Sequence, residues 1–345
     1  MPHGGAQKAL LAVAPWQEAL LAWYRKHARP LPWRGEKDPY RILVSEVLLQ
    51  QTQVRQAIPY YRRFLQRFPT LKALGEAPLE EVLRAWQGAG YYRRAVHLHR
   101  LAQQVEALPQ SFAQLKGLPG LGPYTAAAVA SMAFGERVAA VDGNVRRVLA
   151  RFFALEGASP KALQGLAQSL MPEEAHPGEW NQALMELGAT VCLPRKPLCG
   201  ACPLAPRCRG KEAPERYPLP QRRKVREERL AALVLLGRKG VYLERLEGRF
   251  QGLYGVPLFP AEELPVRAEA LGVAPRLLGE VRHALTHRRL LVEVHGAFWE
   301  GEGEDPWKRP LPKLMEKVLR QALPLLAHEG VVPFPHAKPH GVEPF

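Results

Sequence analysis

The sequence has few of the residue types and runs that mark several protein classes. It contains four cysteines in 345 residues, too few for the disulfide framework of a small secreted domain. Its longest apolar stretches, such as Leu230–Leu236, are far shorter than the roughly 20 residues that span a bilayer. The N-terminus shows no basic region followed by an apolar one, so no signal peptide is expected. These absences predict a soluble protein of the cytoplasm without a membrane partner.

Acidic residues are scarce as well. The chain has 33 Asp and Glu against 48 Lys and Arg, a formal charge of +15, and only Asp38, Asp142 and Asp305 are aspartates. A cationic excess of this size favours a polyanionic partner, most commonly nucleic acid. The alternative at this point is that the charge only keeps the protein soluble.

What is present is a composition typical of a folded chain, with 47% hydrophobic and 23% charged residues. Residues 8–210 repeat apolar side chains at helical spacing, and strand-like runs begin after residue 229. The length also suggests about two domains. We therefore predict a mainly α-helical domain at 1–208, a basic linker at 209–229 and a smaller α+β domain at 230–345. The expected strands of the latter are Leu230–Leu236, Val241–Leu246 and Leu290–Val294, with helices near 262–271 and 311–323.

The four cysteines lie within 17 residues, separated by six, two and five residues: Cys192, Cys199, Cys202 and Cys208. Four thiolates this close suit a tetrahedral metal ion or an iron–sulfur cluster. Two single cysteines flanking one close pair favour a [4Fe–4S] cluster over a zinc ribbon, while four unrelated buried thiols are the plainer alternative. The cations in and beside this loop either hold a DNA backbone or offset the charge of a cluster.

A glycine turn precedes a helix of small residues at Ala126–Met132. The turn contains Gly120 and Gly122 within Leu118–Thr125. We predict a helix-hairpin-helix, in which backbone N–H groups bind a phosphate oxygen, over an ordinary helix turn. Further along, Asp142 precedes Gly143 and a helical stretch, and its local sequence favours a plain helix N-cap.

Glu46 lies on an unusually apolar predicted helix that opens at Asp38. Its neighbours at helical spacing are Ile42, Leu43 and Leu49. Such a carboxyl should lose water and have a raised pKa, as a general acid requires. The alternative is an acid at the rim of the helix. The polar run that follows, residues 50–53, either hydrogen-bonds base edges or faces solvent.

Together the hairpin, the aspartate and the cysteine loop resemble the endonuclease III superfamily of DNA glycosylases. Three further motifs resemble its MutY branch of adenine glycosylases: Leu31-Pro32-Trp33-Arg34, Ser45-Glu46-Val47-Leu48-Leu49-Gln50-Gln51-Thr52-Gln53-Val54 and Gly88-Ala89-Gly90-Tyr91-Tyr92. The region after the linker is similar to the MutT-like module of that branch.

The resemblance implies a base excision repair enzyme that removes adenine mispaired with 8-oxoguanine or guanine in double-stranded DNA. It implies that Glu46 protonates adenine N7 and that Asp142 stabilises the resulting sugar cation, beyond a cap role. It assigns Tyr124 and Asn144 to support these two acids. The residues that it places around the adenine are Leu31, Trp33, Arg34, Gln182 and Glu186. It also implies a [4Fe–4S] cluster on the four cysteines.

Lyase members of the superfamily have lysine where this chain has Tyr124, so the resemblance implies a monofunctional glycosylase with little or no strand cleavage. DNA and 8-oxoguanine recognition is assigned to Gly120, Gly122, Gln51, Thr52, Tyr91, Thr286 and His287. Two departures affect it, since Ala89 replaces a leucine and Leu285-Thr286-His287 replaces Phe-Ser-His.

The C-terminal region lacks a Nudix box, so no nucleotide hydrolysis is expected. The expected state is a nucleoid-associated monomer. Two alternatives remain: a glycosylase acting on thymine in T:G pairs, and a non-catalytic iron–sulfur protein that binds DNA and senses redox state.

Overall fold

A computed structural model describes residues 14–217, 225–285 and 288–327. The described residues form two compact units. The first is drawn from Met1–Gly75 and Arg100–Gln221, and the second from Glu76–His99 and Arg222–Phe345. Within the described ranges, no helix has the length and apolar character needed to cross a membrane.

Eleven α-helices occupy described residues 15–190. They are α1 (Pro15–His27), α2 (Pro39–Leu49), α3 (Val54–Arg67), α4 (Leu71–Glu76), α5 (Leu79–Trp86), α6 (Arg93–Gln104), α7 (Phe112–Lys116), α8 (Pro123–Phe134), α9 (Gly143–Phe152), α10 (Pro160–Ser169) and α11 (Pro177–Thr190). Three short 3₁₀ turns follow at Cys199–Ala201, Ala205–Arg207 and Pro214–Arg216. The prediction of a mainly helical region is confirmed.

The predicted hairpin joins α7 to α8, which pack against each other. Gly120 turns the chain with a φ of 76°, a left-handed conformation that glycine adopts without a steric penalty. Gly122 is the N-cap of α8 and Pro123 its first residue, where a missing N–H costs nothing. The small side chains of α8 are buried and let α2 pack closely beside it, which brings the motifs of both helices together.

The second unit contains a four-stranded mixed sheet in the order β4-β1-β6-β5. The long strands β1 (Arg226–Leu236) and β6 (Arg288–Phe298) are parallel, and β4 (Leu258–Pro260) and β5 (Arg276–Ala284) pair with them antiparallel. A separate hairpin pairs β2 (Glu244–Arg245) with β3 (Tyr254–Gly255). Helix α12 is Leu264–Ala270, and α13 (Lys313–Ala327) packs on β1, β5 and β6. The prediction of a smaller α+β region is confirmed.

Sequence and structure differ in detail here. Strand β5 was not predicted, because charged residues and a register shift at Gly279 interrupt its alternation. Of the expected strand Val241–Leu246, only Glu244–Arg245 forms a strand, and Val241 makes isolated bridges to Leu236 and Glu304. Strand β1 begins at Arg226, inside the expected linker, of which 218–224 lie outside the described residues. The second unit also contains Glu76–His99, and the three-part domain division stays a prediction.

Candidate active site

Glu46 is buried in the first unit, on α2. Its side chain is 6% exposed, and burial raises the pKa of its carboxyl to about 7. The Tyr124 hydroxyl opposes this rise by donating a hydrogen bond to Glu46 Oε2 at 2.9 Å, whereas the negative charge of Asp142 adds to it. The predicted desolvation of this carboxyl is confirmed, and the rim alternative is excluded. The group is therefore partly protonated at neutral pH.

Tyr124 reaches Glu46 because it lies in the first turn of α8, directly after the glycine hairpin. Burial and the charge of Glu46 raise the pKa of its phenol well above the ordinary value, so the hydroxyl stays neutral and remains a donor. Next to it, Thr125 Oγ1 accepts a hydrogen bond from Gln50 Nε2 at 2.7 Å, which ties the end of α2 to α8. The hairpin thus positions the partner of the candidate acid.

Asp142 is the N-cap of α9, as its local sequence predicted. Its Oδ1 accepts from the Val145 N–H at 2.7 Å, and its Oδ2 accepts from Asn144 Nδ2 at 3.2 Å. Burial raises the pKa of this carboxyl, while the two hydrogen bonds counteract the rise. Asp142 also lines the same cavity as Glu46. The cap role and a role in the site are therefore compatible.

Arg147 links Asn144 to the cysteine loop, and sequence reasoning missed it. Its Nη2 donates to Asn144 Oδ1 at 2.8 Å and to the Gly188 carbonyl at 2.7 Å. Its Nε donates to the Cys192 carbonyl at 2.8 Å. A hydrogen-bonded chain thus runs from Asp142 through Asn144 and Arg147 to Cys192. An arginine one turn after an N-cap gives no local signal of such contacts.

Glu186 is a second buried carboxyl with the opposite environment. Arg29 donates to Oε1 from its backbone N at 2.9 Å and from Nε at 2.7 Å, and to Oε2 from Nη2 at 3.0 Å. Arg34 Nη2 donates to Oε2 at 2.8 Å. Although burial alone raises it, these bonds and charges hold the pKa of Glu186 below its ordinary value. Glu186 is therefore ionised, and Arg29 is a residue that sequence reasoning missed.

Arg34 also holds two neutral side chains beside Glu186, those of Gln182 and Tyr24. Its Nη1 donates to Gln182 Oε1 and to the Tyr24 hydroxyl, both at 2.9 Å. Tyr24 in turn donates to Gln182 Oε1 at 3.3 Å. Trp33 is 8% exposed and packs edge-to-face on Tyr61, with ring centroids 5.2 Å apart. The amide and aromatic groups expected around a base are thus fixed by contacts with α1 and α3.

These side chains line one open cavity of about 740 Å³, a size suited to a small ligand. Thirteen of the predicted site residues line it: Leu31, Trp33, Arg34, Glu46, Gln51, Thr52, Gly120, Gly122, Tyr124, Asp142, Asn144, Gln182 and Glu186. Arg29 and Arg146 line it too. Tyr91 lies in the second unit, and Thr286 and His287 lie outside the described residues.

The four cysteines lie elsewhere and line a second, small apolar pocket together with Arg151. Arg151 is 4% exposed, and its Nη1 lies 3.5 Å from Cys192 Sγ and donates to the Leu193 carbonyl at 2.6 Å. Burial raises the pKa of the Cys202 thiol to about 11. Among residues 14–217, 225–285 and 288–327, no three His, Cys, Asp or Glu side chains are close enough to hold one metal ion.

Comparisons with known proteins identify a family and several relatives of this chain. A family profile described as "HhH-GPD superfamily base excision DNA repair protein" matches residues 44–173, which include Glu46, the hairpin and Asp142. The adenine DNA glycosylase of Homo sapiens is 36% identical over 84% of this chain and 68% of its own length. That of Mus musculus is 44% identical over 59% of this chain, and the match spans 43% of the mouse protein.

Among solved structures, a thermostable thymine-DNA glycosylase superimposes with a TM-score of 0.53 at 32% identity. The match covers 60% of this chain and 99% of that one. The predicted family is confirmed by the identity to the human protein over more than two thirds of that protein's length. This chain belongs to the adenine DNA glycosylase family of HhH-GPD base excision DNA repair proteins.

Proposed function

We propose that this protein releases adenine from double-stranded DNA in which the adenine is mispaired with 8-oxoguanine or guanine. The observation that carries the proposal is the buried carboxyl of Glu46, whose pKa is raised to about 7 and which shares one cavity with Asp142. Two acids in environments that separate their roles are typical of glycosidic bond cleavage. The relatives named above are adenine DNA glycosylases, which supports adenine as the base.

The proposed reaction begins when adenine leaves the base stack and enters the cavity. Because the Tyr124 hydroxyl donates a hydrogen bond to Glu46 Oε2, Oε1 carries the proton that is given to adenine N7. The glycosidic bond then breaks with its electron pair on the base, leaving a cationic sugar. The Asp142 carboxylate stabilises that cation, and water adds to C1′ while its proton is taken up by a carboxylate. The products are adenine and an abasic sugar.

The ionised Glu186 has a different part in this scheme. Because Arg29 and Arg34 occupy both of its oxygens, it is a poor proton donor. It fixes the two guanidinium groups at the wall of the cavity, where donors can meet the acceptor nitrogens of a purine. We assign the binding of the base to this cluster and the proton transfer to Glu46.

Tyr124 also argues for a glycosylase without efficient lyase activity. A phenol cannot form the Schiff base by which an amine opens the sugar. Incubation with an 8-oxoguanine:adenine duplex followed by borohydride should therefore trap little covalent adduct. Efficient trapping would contradict this part of the proposal.

We propose that DNA is bound by the hairpin at Gly120 and Gly122, by the cationic runs Arg55–Arg67 and Arg84–Arg100, and by residues that contact the strand opposite adenine. Gln51 and Tyr91 have left-handed backbones, with φ of 59° and 47°. Such conformations in residues other than glycine persist where the surrounding structure fixes them, often at functional sites. We propose that Gln51, Thr52 and Tyr91 contact the strand opposite adenine, and that Thr286 and His287 assist in reading 8-oxoguanine.

For the cysteine pocket we propose a [4Fe–4S] cluster. Four cysteines around one apolar pocket are the right donor set. Among the described residues no three such side chains are close enough to hold a single metal ion, and in a cluster each of the four cysteines would supply one thiolate. When bound, the cluster would tie the loop 192–208 together. Iron and labile sulfide in the purified protein, about four of each per chain, test this, and zinc in their place would contradict it.

A thymine glycosylase is the second candidate, because the thermostable thymine-DNA glycosylase superimposes on this chain. The deciding experiment measures base release by the full chain from three duplexes: 8-oxoguanine:adenine, guanine:adenine and guanine:thymine. We expect adenine from the first two. Thymine release without adenine release would replace the proposal, and DNA binding with no release would support a non-catalytic protein.

A further inference from the structure

The loop Gly88–Tyr92 presents an aromatic ring on an unfavourable backbone. Gly88 and Gly90 have φ of 93° and 72°, and Tyr91, which follows Gly90, has φ of 47°. The left-handed region crowds the Cβ of a residue other than glycine, so it persists only where neighbouring groups hold it. The Tyr91 ring is nevertheless 42% exposed. The ring is therefore exposed, while its backbone conformation must be maintained by contacts that other residues make with the loop.

Two side chains hold the loop from its own flanks. Trp86 Nε1 donates to the Gly90 carbonyl at 3.0 Å. Arg94 Nη2 donates to the same carbonyl at 3.1 Å and to the Ala89 carbonyl at 3.2 Å. The Arg94 guanidinium also lies 5.2 Å from the centroid of the Tyr91 ring, a cation–π distance. These contacts fix the tip of the loop.

The base of the loop is held by residues near the start of α13, in the same unit. Gln87 Nε2 donates to Glu316 Oε1 at 2.9 Å. The Tyr92 hydroxyl accepts from the Gly88 N–H at 3.3 Å and donates to the Leu311 carbonyl at 3.5 Å. A bond between an amide and a carboxylate is stronger than one between neutral groups. The Gln87–Glu316 bond is thus the charge-assisted one among these three contacts.

Helix α5, which leads into the loop, is bonded to the same C-terminal stretch. Arg84 Nη2 donates to the Lys308 carbonyl at 2.7 Å. Arg309 Nη1 lies 3.4 Å from both carboxylate oxygens of Glu80. Residues 80–92 therefore meet residues 308–316 at four points. The loop and the helix before it are thus bonded to a segment more than 200 residues later in the chain.

We propose that the segment 308–316 positions Tyr91 for reading the base opposite adenine, with Gln87 and Glu316 as the positioning residues. The inference rests on the proposed function, in which Tyr91 contacts that strand. The proposed proton donor and cation stabiliser, Glu46 and Asp142, lie in the first unit. Loosening the Gln87–Glu316 contact should therefore change the preference for the opposite base more than it changes the release of adenine.

A charge swap at residues 87 and 316 of the full chain tests this. Gln87→Glu sets two carboxylates against each other, and the double variant Gln87→Glu/Glu316→Gln restores an amide–carboxylate pair in reverse. Adenine release is measured under single-turnover conditions from 8-oxoguanine:adenine and guanine:adenine duplexes. The quantity compared between variants is the rate for 8-oxoguanine:adenine divided by the rate for guanine:adenine. We expect the ratio to fall about fivefold in Gln87→Glu and to recover within about twofold in the double variant.

The controls separate positioning from general damage. Glu302→Gln removes an exposed ion pair with Lys239 at 2.9 Å and should leave the ratio unchanged. Glu316→Ala should lower the ratio without introducing repulsion, and the Tm of each variant reports its folding. In a Tyr91→Ala background, Gln87→Glu should have no further effect on the ratio, because the ring that it positions is gone.

The outcomes are distinguishable. An equal fall of the ratio in the presence and absence of the Tyr91 ring overturns the inference, as does a folded double variant that fails to recover. If Tyr91→Ala leaves the ratio unchanged, the role of Tyr91 is wrong and the inference fails with it. If the wild-type protein releases no adenine from either duplex, the proposed function itself is wrong.

Discussion

Two buried glutamates in one cavity differ because of what surrounds each carboxyl. The neighbours of the Glu46 carboxyl are the neutral Tyr124 hydroxyl and the acidic Asp142, and burial raises the pKa of Glu46 to about 7. Glu186 meets two guanidinium groups, which hold its pKa below the ordinary value. The first side chain can give a proton near neutral pH, whereas the second is a fixed anion.

Proton donation by Glu46 can be tested with an isosteric amide. Glu46→Gln keeps the volume and an oxygen to accept from Tyr124 but removes the acidic proton. We expect single-turnover adenine release to fall about a thousandfold, with duplex affinity unchanged. Glu179→Gln is the matched control, since Glu179 is a glutamate on α11 paired with Arg25 at the surface, and it should be fully active. Release above a tenth of the wild-type rate in Glu46→Gln would exclude the general-acid role.

The raised pKa of the same carboxyl should make the release rate depend on pH. Since the acid must be protonated to act, and burial raises its pKa to about 7, the release rate should fall as pH rises through 7. The fall should approach tenfold per pH unit well above the pKa. Single-turnover rates between pH 5.5 and 9, with enzyme in excess over duplex, provide the measurement. A rate that rises across this range would contradict the assignment.

Burial of Glu46 also makes stability depend on pH. The folded-state pKa of about 7 lies above the 4.5 of an exposed glutamate, so ionisation favours the unfolded chain. Stability is unaffected below about pH 4.5 and is lost as pH rises towards 7, by about 3 kcal/mol in total. Glu46→Gln should therefore raise Tm more at pH 8 than at pH 5. An equal change at both pH values would argue against the raised pKa.

Sequence alone identified those residues whose signal is local. The apolar neighbours of Glu46 predicted its burial, and the order Asp-Gly before a helix predicted the Asp142 cap. Arg29 and Arg147 carried no such signal, because their partners are distant along the chain: Glu186 is 157 residues from Arg29, and Gly188 is 41 from Arg147. Contacts of this kind arise only when the helices pack.

At the scale of elements, the site depends on the close approach of α9 and α11. A Cβ built on Gly188 of α11 would lie 2.7 Å from the Asn144 Cβ and 3.0 Å from the Asn144 carbonyl oxygen. Such distances are too short for ordinary packing. The absence of a side chain at Gly188 therefore lets the start of α9, with Asp142 and Asn144, reach its position.

We predict that Gly188→Ala lowers the free energy of unfolding by about 1–3 kcal/mol and slows adenine release, because it displaces Asn144. Gly165→Ala is the matched control, since Gly165 lies within α10 and a Cβ there meets nothing within 4 Å. That variant should be fully active and slightly more stable. Denaturant unfolding and single-turnover release measure both effects. A fully active Gly188→Ala would show that the approach of the two helices does not matter to the site.

The elements themselves were predictable to different degrees. The glycine hairpin and α8 follow from local rules, because Gly120, Gly122 and Pro123 each fit a required backbone position. Strand β5 follows no simple alternation, since its residues pair with β6 across a register shift and carry several charges. Its conformation depends on the neighbouring strand rather than on its own sequence.

At the scale of the whole molecule, the net charge of +15 favours association with the polyanionic backbone of DNA. Acid-free cationic runs occur at Arg55–Arg67 and Arg84–Arg100, and the two compact units both carry such residues. Two candidate phosphate contacts of different kinds thus exist: side-chain cations, which are screened by salt, and backbone N–H groups of the hairpin.

Duplex binding should therefore weaken steeply with salt, whereas the chemistry should not. If about six phosphates are neutralised, affinity falls about a thousandfold between 50 and 200 mM salt, because bound counterions are released on association. The release rate of a fully bound duplex should change less than twofold, since Glu46 is 6% exposed and buried groups are weakly screened. Fluorescence anisotropy gives the first quantity and single-turnover release at saturating enzyme the second. A nearly salt-independent affinity would mean that the excess charge lies away from the DNA, and a release rate falling in parallel with affinity would mean that salt acts on the cavity itself.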